Sequence, residues 1–183
     1  MKKISLVLVA IMASALSSCV THYFAEPVPT DAKDYSYIPK TMQGAWATEN
    51  ELHTIGKNKW ISEEVDSLGN KTTTVEFELS DSLIVKRFKR YYFFNSLEKN
   101  GYWAVYFGFK QGNRFFIMGL GDDDTITLAS SIELLPDSIC NDNEHYFNTP
   151  FTKKLMRKFI ADGGFADTLI VFDVDNRTMN KLD

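Results

Sequence analysis

Residues 102–110 read Tyr-Trp-Ala-Val-Tyr-Phe-Gly-Phe-Lys, and the period of this stretch decides the fold. Side chains on an extended chain alternate between two faces. Trp103, Val105, Phe107 and Phe109 therefore make one wholly apolar face, while Tyr102, Ala104, Tyr106 and Gly108 make an amphipathic one. A strand of this composition is covered on both sides. Four large apolar side chains have no cheaper location than a dry interior, so their face is expected in the main core. Tyr102 and Tyr106 are expected to point the other way, where a hydroxyl finds a partner or water.

Working outward, Val75, Phe77 and Leu79 alternate with Thr74, Glu76 and Glu78, and Ile126, Leu128 and Ile132 alternate with Thr125, Thr127 and Ser131. Short turn-forming stretches separate such runs: Leu68-Gly69-Asn70, Ser80-Asp81-Ser82, Gln111-Gly112-Asn113 and Gly121 through Asp124. Connections this short join antiparallel neighbours, since a parallel crossover needs about a dozen residues or more. The spacing predicts strands near 44–49, 59–66, 72–79, 83–93, 102–110, 113–119 and 125–132. One helix follows, with Thr149 as N-cap, Pro150 at its first position, Phe151, Leu155, Phe159 and Ile160 on its apolar side and Gly163-Gly164 to end it. Its basic residues, Lys153, Lys154, Arg157 and Lys158, read as a solvated face. A final strand is expected over 168–174. The fold class is mainly β: an antiparallel up-and-down barrel of about eight strands with one helix before the last, the eighth strand falling within 133–147. A β-sandwich and an α+β arrangement are the alternatives.

The chain of 183 residues opens with Lys2 and Lys3, an apolar run from Ile4 to Leu16, and Leu16-Ser17-Ser18-Cys19. The apolar run is about half of what spans a bilayer as a helix. Charged start, short apolar centre and small residues before the cysteine are the parts of a secretory signal. The tetrapeptide resembles the lipobox of bacterial lipoproteins. That resemblance implies cleavage before Cys19, acyl chains on Cys19, and a membrane anchor held by several chains. In that family an Asp after the cysteine retains the protein at the inner membrane; Val20 stands there, which implies the outer membrane, facing either the periplasm or the exterior. Residues 1–18 are then a signal peptide, 19–41 the lipidated cysteine and an extended tether carrying Pro27, Pro29 and Pro39, and 42–183 a single β-rich domain.

Gly44-Ala45-Trp46 resembles the Gly-x-Trp motif of lipocalins, whose eight-stranded barrel holds a small apolar ligand. The order of strands, helix and closing strand is similar too. The resemblance implies that Gly44 and Trp46 close one end of a barrel, with Trp46 buried and the first strand paired beside the last. The Thr-Asp-Tyr turn of that family is absent, and no arginine precedes the helix to cover the tryptophan.

The net charge is −4 and grows more negative without Lys2 and Lys3, which leaves no electrostatic footprint for nucleic acid. With Cys19 acylated, Cys140 is the remaining thiol, so no intrachain disulfide is expected. The sequence contains no Gly-x-Ser-x-Gly, no His-Glu-x-x-His, no phosphate-cradling glycine loop and no paired zinc cysteines. His22, His53 and His145 read as surface residues. Asp122-Asp123-Asp124 and Asp173-x-Asp175-Asn176 lack the spacing of a calcium loop. No catalytic residue, metal or cofactor is assigned, and an enzyme is not expected. The expected role is structural or protein-interaction work at the outer membrane, with an envelope protein as partner. The alternative is binding of a small apolar or amphipathic ligand, lined by Tyr102, Trp103, Tyr106 and Phe107.

Overall fold

A computed structural model describes residues 20–98, 101–140, 143–165 and 167–181; the expected signal peptide, residues 1–18, and Cys19 lie outside the described residues. The strands are β1 (Thr21–Phe24), β2 (Gly44–Ala47), β3 (Glu51–Ile55), β4 (Lys59–Val65), β5 (Lys71–Glu78), β6 (Leu83–Phe88), β7 (Tyr91–Leu97), β8 (Trp103–Gln111) and β9 (Arg114–Gly119). Then come helix α1 (Asp122–Ile132), β10 (Ser138–Cys140), β11 (Glu144–Phe147), helix α2 (Lys153–Ala161), β12 (Asp167–Asp173) and β13 (Thr178–Lys181). The fold is mainly β. In place of a closed eight-stranded barrel, one curved sheet of 13 strands runs β10-β11-β1-β8-β9-β12-β13-β2-β3-β4-β5, with β6 and β7 on the other edge of β8. β5 and β6 follow each other without pairing as strands, so the sheet is open there.

Two pairings are parallel, β1 with β11 and β13 with β2. The last strand met by β2 is β13, through Thr178 and Ala47, and not the 168–174 strand itself, which sits one place further in. The run 83–93, expected as one strand, is a hairpin turning at Lys89-Arg90, where Lys89 takes φ 57°. That turn carries no Gly or Asn, the usual residues for positive φ. Arg87 Nε donates to Lys89 O at 3.1 Å and helps to hold it.

Residues 125–132 are helical, not a strand. Leu128 and Ile132 stand four apart as well as an even number apart, so both periods fit them. What decides is the start: Asp122, Asp123 and Asp124 fill the first turn, where carboxylates meet the positive end of the helix dipole. The Asp124 carboxylate is buried and accepts N–H groups from Gly121 (2.9 Å) and Phe165 (2.8 Å). α2 begins three residues later than expected, at N-cap Thr152.

The segment 20–41 is no tether. β1 lies between β11 and β8, and Phe24, Val28 and Ile38 are buried. Its irregular backbone is held by single backbone bonds, Thr30 N–H to Phe151 O at 3.1 Å, Tyr35 N–H to Val85 O at 2.7 Å and Ile38 N–H to Lys57 O at 2.7 Å, and by side chains. Asn95 on β7 accepts the Val28 N–H at 2.7 Å and donates to Val28 O at 3.0 Å. Lys86 Nζ donates to Pro29 O at 3.2 Å. Asp31 in turn accepts the Lys153 backbone N–H at 2.7 Å and so supports the start of α2. A folded unit that starts near Met42 is thereby corrected to one that includes the chain from Val20.

Two apolar cores lie on the two faces of β7, β8 and β9. Phe93, Val105 and Phe107 pack outward against Leu128 of α1, Met156 and Phe159 of α2, and Phe24 of β1. Phe94, Phe115 and Ile117 pack inward with Trp46, Trp60 and Phe172. The Phe107 face is therefore the one backed by helices, and the tyrosine face looks into the concave side of the sheet.

Candidate functional site

The concave side holds an apolar cavity of about 160 Å³. Ile38, Met42, Trp60, Phe94 and Ile117 make its floor and are all at least nine-tenths buried. Tyr106, Phe77, Leu169 and Ile170 make its rim, with Tyr106 the most open at 38% exposed. Two bulges shape that rim. Thr168 pairs Met118 and Ile170 pairs Ile117, leaving Leu169 as the extra residue on β12. Successive strand residues ordinarily alternate faces, and a bulge re-aims one; here Leu169 and Ile170 both line the cavity. On β5 the extra residue is Glu76, because Trp60 pairs Phe77 and Ile61 pairs Val75. Gly108 lets the rings close over β8. A Cβ there would lie 2.8 Å from Phe94 Cε2 and 2.9 Å from Phe115 Cζ.

A buried polar relay stands behind Trp60. Its Nε1–H donates to His53 Nδ1 at 3.1 Å. That acceptor role leaves the ring proton of neutral His53 on Nε2, which faces Glu51 Oε2 at 2.9 Å. Glu51 also takes Lys181 Nζ at 3.0 Å. Burial, with Lys181 adding to it, holds His53 below the ordinary histidine value, against the opposing pull of Glu51. His53 is thus a core residue, not a surface one.

Trp46 is fully buried within the concave core. Its Nε1–H donates to Met42 O at 2.5 Å, and Phe172 meets it edge-on at 5.0 Å. An arginine does cover the ring: Arg177, from the turn between β12 and β13, places its guanidinium 5.0 Å above it. Gly44, at φ +129°, leaves room for that guanidinium, whose Nη1 would lie 3.0 Å from any Cβ. The turn that presents Arg177 is tied by Asp173, which accepts the N–H groups of Asp175 and Asn176, both at 3.1 Å. This is the use of that acidic cluster.

Of the four residues expected to line a ligand site, Tyr106 alone lines the cavity. Burial first, then Glu98 and Tyr23, raise its hydroxyl above the ordinary phenol value. Phe107 belongs to the outer core. Trp103 begins β8 between Leu97 and Phe24, and Tyr102 donates to Asn148 Oδ1 at 2.9 Å while meeting Tyr146 edge-on.

His22 and His145 make a second polar site. They are register partners on β1 and β11, both buried, with ring centroids 5.4 Å apart. The Thr125 hydroxyl of α1 lies 2.8 Å from His22 Nε2 and 3.4 Å from His145 Nδ1. Burial, with His145 adding to it, lowers His22 to about 4, and burial lowers His145 as well; Asp122 opposes both. Among the described residues no group of three or more His, Cys, Asp or Glu is arranged to hold a metal ion, and no helix is long and apolar enough to cross a membrane. Comparison with known proteins gave no match to a family model, to a curated protein or to a solved structure.

Proposed function

We propose that this chain is a lipoprotein, acylated on Cys19 and held at the outer membrane, whose concave sheet binds a small apolar group. The observation that carries the binding reading is the cavity: about 160 Å³ with wholly apolar exposed surface. Apolar cavities of roughly this size stay dry and take up a benzene-sized molecule. The volume is below the usual range of about 300–1,000 Å³ for drug-sized ligands, so the ligand enters with one ring or one chain end. Support for the anchor is the lipobox-like Leu16-Ser17-Ser18-Cys19 and Val20 after it. The lipocalin-like reading is supported by the burial of Trp46 beside Gly44, with Arg177 over its ring, and is proposed for the interior alone.

The test is titration of the folded chain with toluene, read by the emission of its tryptophans, together with native mass spectrometry of the protein purified from the envelope. A saturable change that is lost in Ile117→Phe, which fills the floor, is expected. No saturable change and no added mass would remove the binding reading. Fatty-acid labelling that is lost in Cys19→Ala tests the anchor.

A second reading, docking of an envelope protein, is favoured by β5. It pairs with β4 alone, is almost wholly exposed, and carries Val75 at 49% exposure. An open edge of this kind can take a further strand.

A further inference from the structure

The cavity rim lies near Val20, the first described residue. Val20, the residue after Cys19, is pinned: its backbone N–H donates to Asp122 Oδ1 at 2.8 Å. Asp122 follows Gly119 by three residues, which is at most about 11 Å of chain. Gly119 packs on Leu169, whose Cδ1 would lie 3.1 Å from a Cβ at that glycine. On the other side β1 runs antiparallel beside β8, with Phe24 opposite Trp103, so the residues just after Val20 lie along β8 toward Tyr106. Both rim residues are thus within reach of the backbone that carries Cys19. A flexible spacer of about 20 residues would have separated the two by about 25 Å, but the chain is strand β1 from Thr21 onward. Beside the pinned Val20 the surface is apolar in part. Ile126, one helical turn beyond Asp122, is 68% exposed, and Ile139, opposite His145, is 55% exposed.

The lining adds a chemical limit. The exposed lining is wholly apolar, and the indole N–H of Trp60 is already given to His53. A carboxylate or phosphate drawn inside would be buried without a partner, at prohibitive cost. The ligand's polar end must stay outside while its tail enters.

We infer that the cavity takes the end of an acyl chain of a membrane lipid, from the bilayer in which Cys19 is anchored, with the domain seated directly on that bilayer. This rests on the proposed acylation and apolar binding. The lipid's headgroup stays at the interface, and the exposed isoleucines meet the same surface.

The experiment uses the acylated full-length protein in phosphatidylcholine vesicles whose acyl chains carry bromine at their ends, compared with unbrominated vesicles. Bromine quenches tryptophan at contact, and Trp60 is in the cavity wall. The expected result is a loss of emission that is absent in Trp60→Phe and diminished when about 20 Gly/Ser residues, a coil of about 25 Å, are inserted between Cys19 and Val20. Equal quenching of the wild type and Trp60→Phe overturns the inference, as does quenching untouched by the insertion. If toluene binds and Cys19 is acylated but the brominated chains do not quench, the inference falls and the proposed function stands. If Cys19 carries no acyl chain, the inference and the anchor fall together, and the binding reading stands or falls by toluene alone.

Discussion

His22 should make the domain acid-sensitive well above the range where carboxylates titrate. Its ordinary value is 6.5, and in the fold it lies at about 4. Because the folded value is depressed and the group is a base, the unfolded chain binds the proton first. Stability is present in full above about pH 6.5, is lost as pH falls toward 4, and does not change further below that on account of His22. At about 1.4 kcal/mol per pH unit, the total reaches about 3 kcal/mol, a large part of a domain's 5–15 kcal/mol. The side chain is 3% exposed, so screening by solvent does not reduce the figure. His145 and His53 are lowered too and act in the same direction. The lowered carboxylates, Glu51, Asp66 and Asp173, lose their contribution only as pH falls below about 4.5, so the window from 6.5 to 4.5 isolates the histidines. Urea midpoints of the soluble Cys19→Ala chain at four pH values across that window, with and without His22→Gln, are the assay. A flat profile in the parent, or an unchanged slope in His22→Gln, would refute the reasoning.

Trp46→Ala should cost about 3–5 kcal/mol in thermal or urea unfolding, as for other buried large aromatics, while Arg177→Ala, which removes an exposed cation from the same ring, should cost about 0.5–1 kcal/mol. Phe107→Ala should cost a similar 3–5 kcal/mol, and Tyr102→Phe, which removes one solvent-exposed hydrogen bond, no more than about 1 kcal/mol; comparable denaturant midpoints for the two would mean the faces of β8 are misassigned. Gly108→Ala forces Phe94 and Phe115 apart, so a loss of about 1–3 kcal/mol and weaker toluene binding are expected from calorimetry. Asn95→Ala leaves the Val28 N–H and O without their side-chain partner, at about 1–3 kcal/mol for each group, and limited proteolysis should then cut within residues 25–41 first.

The strands whose identity was legible are those with a period of two and a glycine-bearing turn beside them. β8 and β9, joined at Gln111-Gly112-Asn113, match their expected bounds to within a residue or two. α2 was legible from Phe151, Leu155 and Phe159. The hairpin at Lys89-Arg90 was not, because its positive φ falls on a lysine and the choice was made by the pairing of β6 with β7. α1 was misread because Leu128 and Ile132 satisfy two periods and its acidic first turn, Asp122-Asp123-Asp124, also reads as a turn between strands; the bond from Phe165 N–H that holds Asp124 joins residues far apart in the chain. The same holds for the segment 20–41: the side chains of Asn95, Lys86 and Asp31 and the backbone carbonyls of Val85 and Phe151 settle its place through single long-range bonds that leave no periodic trace. At the site, Trp46 was placed by its motif and Tyr106 by alternation. Leu169 was out of reach because a bulge is a fact of register between two strands, and the burial of His22, His53 and His145 reflects partners on other elements, Thr125 and Trp60 above all.

The placement of β1 sets an order of events for a chain delivered across a membrane from its amino end. Val20 finds its partner Asp122 at a separation of 102 residues, and β1 finds β11 later still. Contacts this distant in sequence form late, after the loop between them has been closed. Under the proposed export and acylation, Val20 and β1 have nothing to dock on while the chain is still emerging. Once β11 has crossed, the same residues become part of the sheet. Under the proposed acylation, processing and folding therefore race, and the window for modification closes when residues 144–147 arrive.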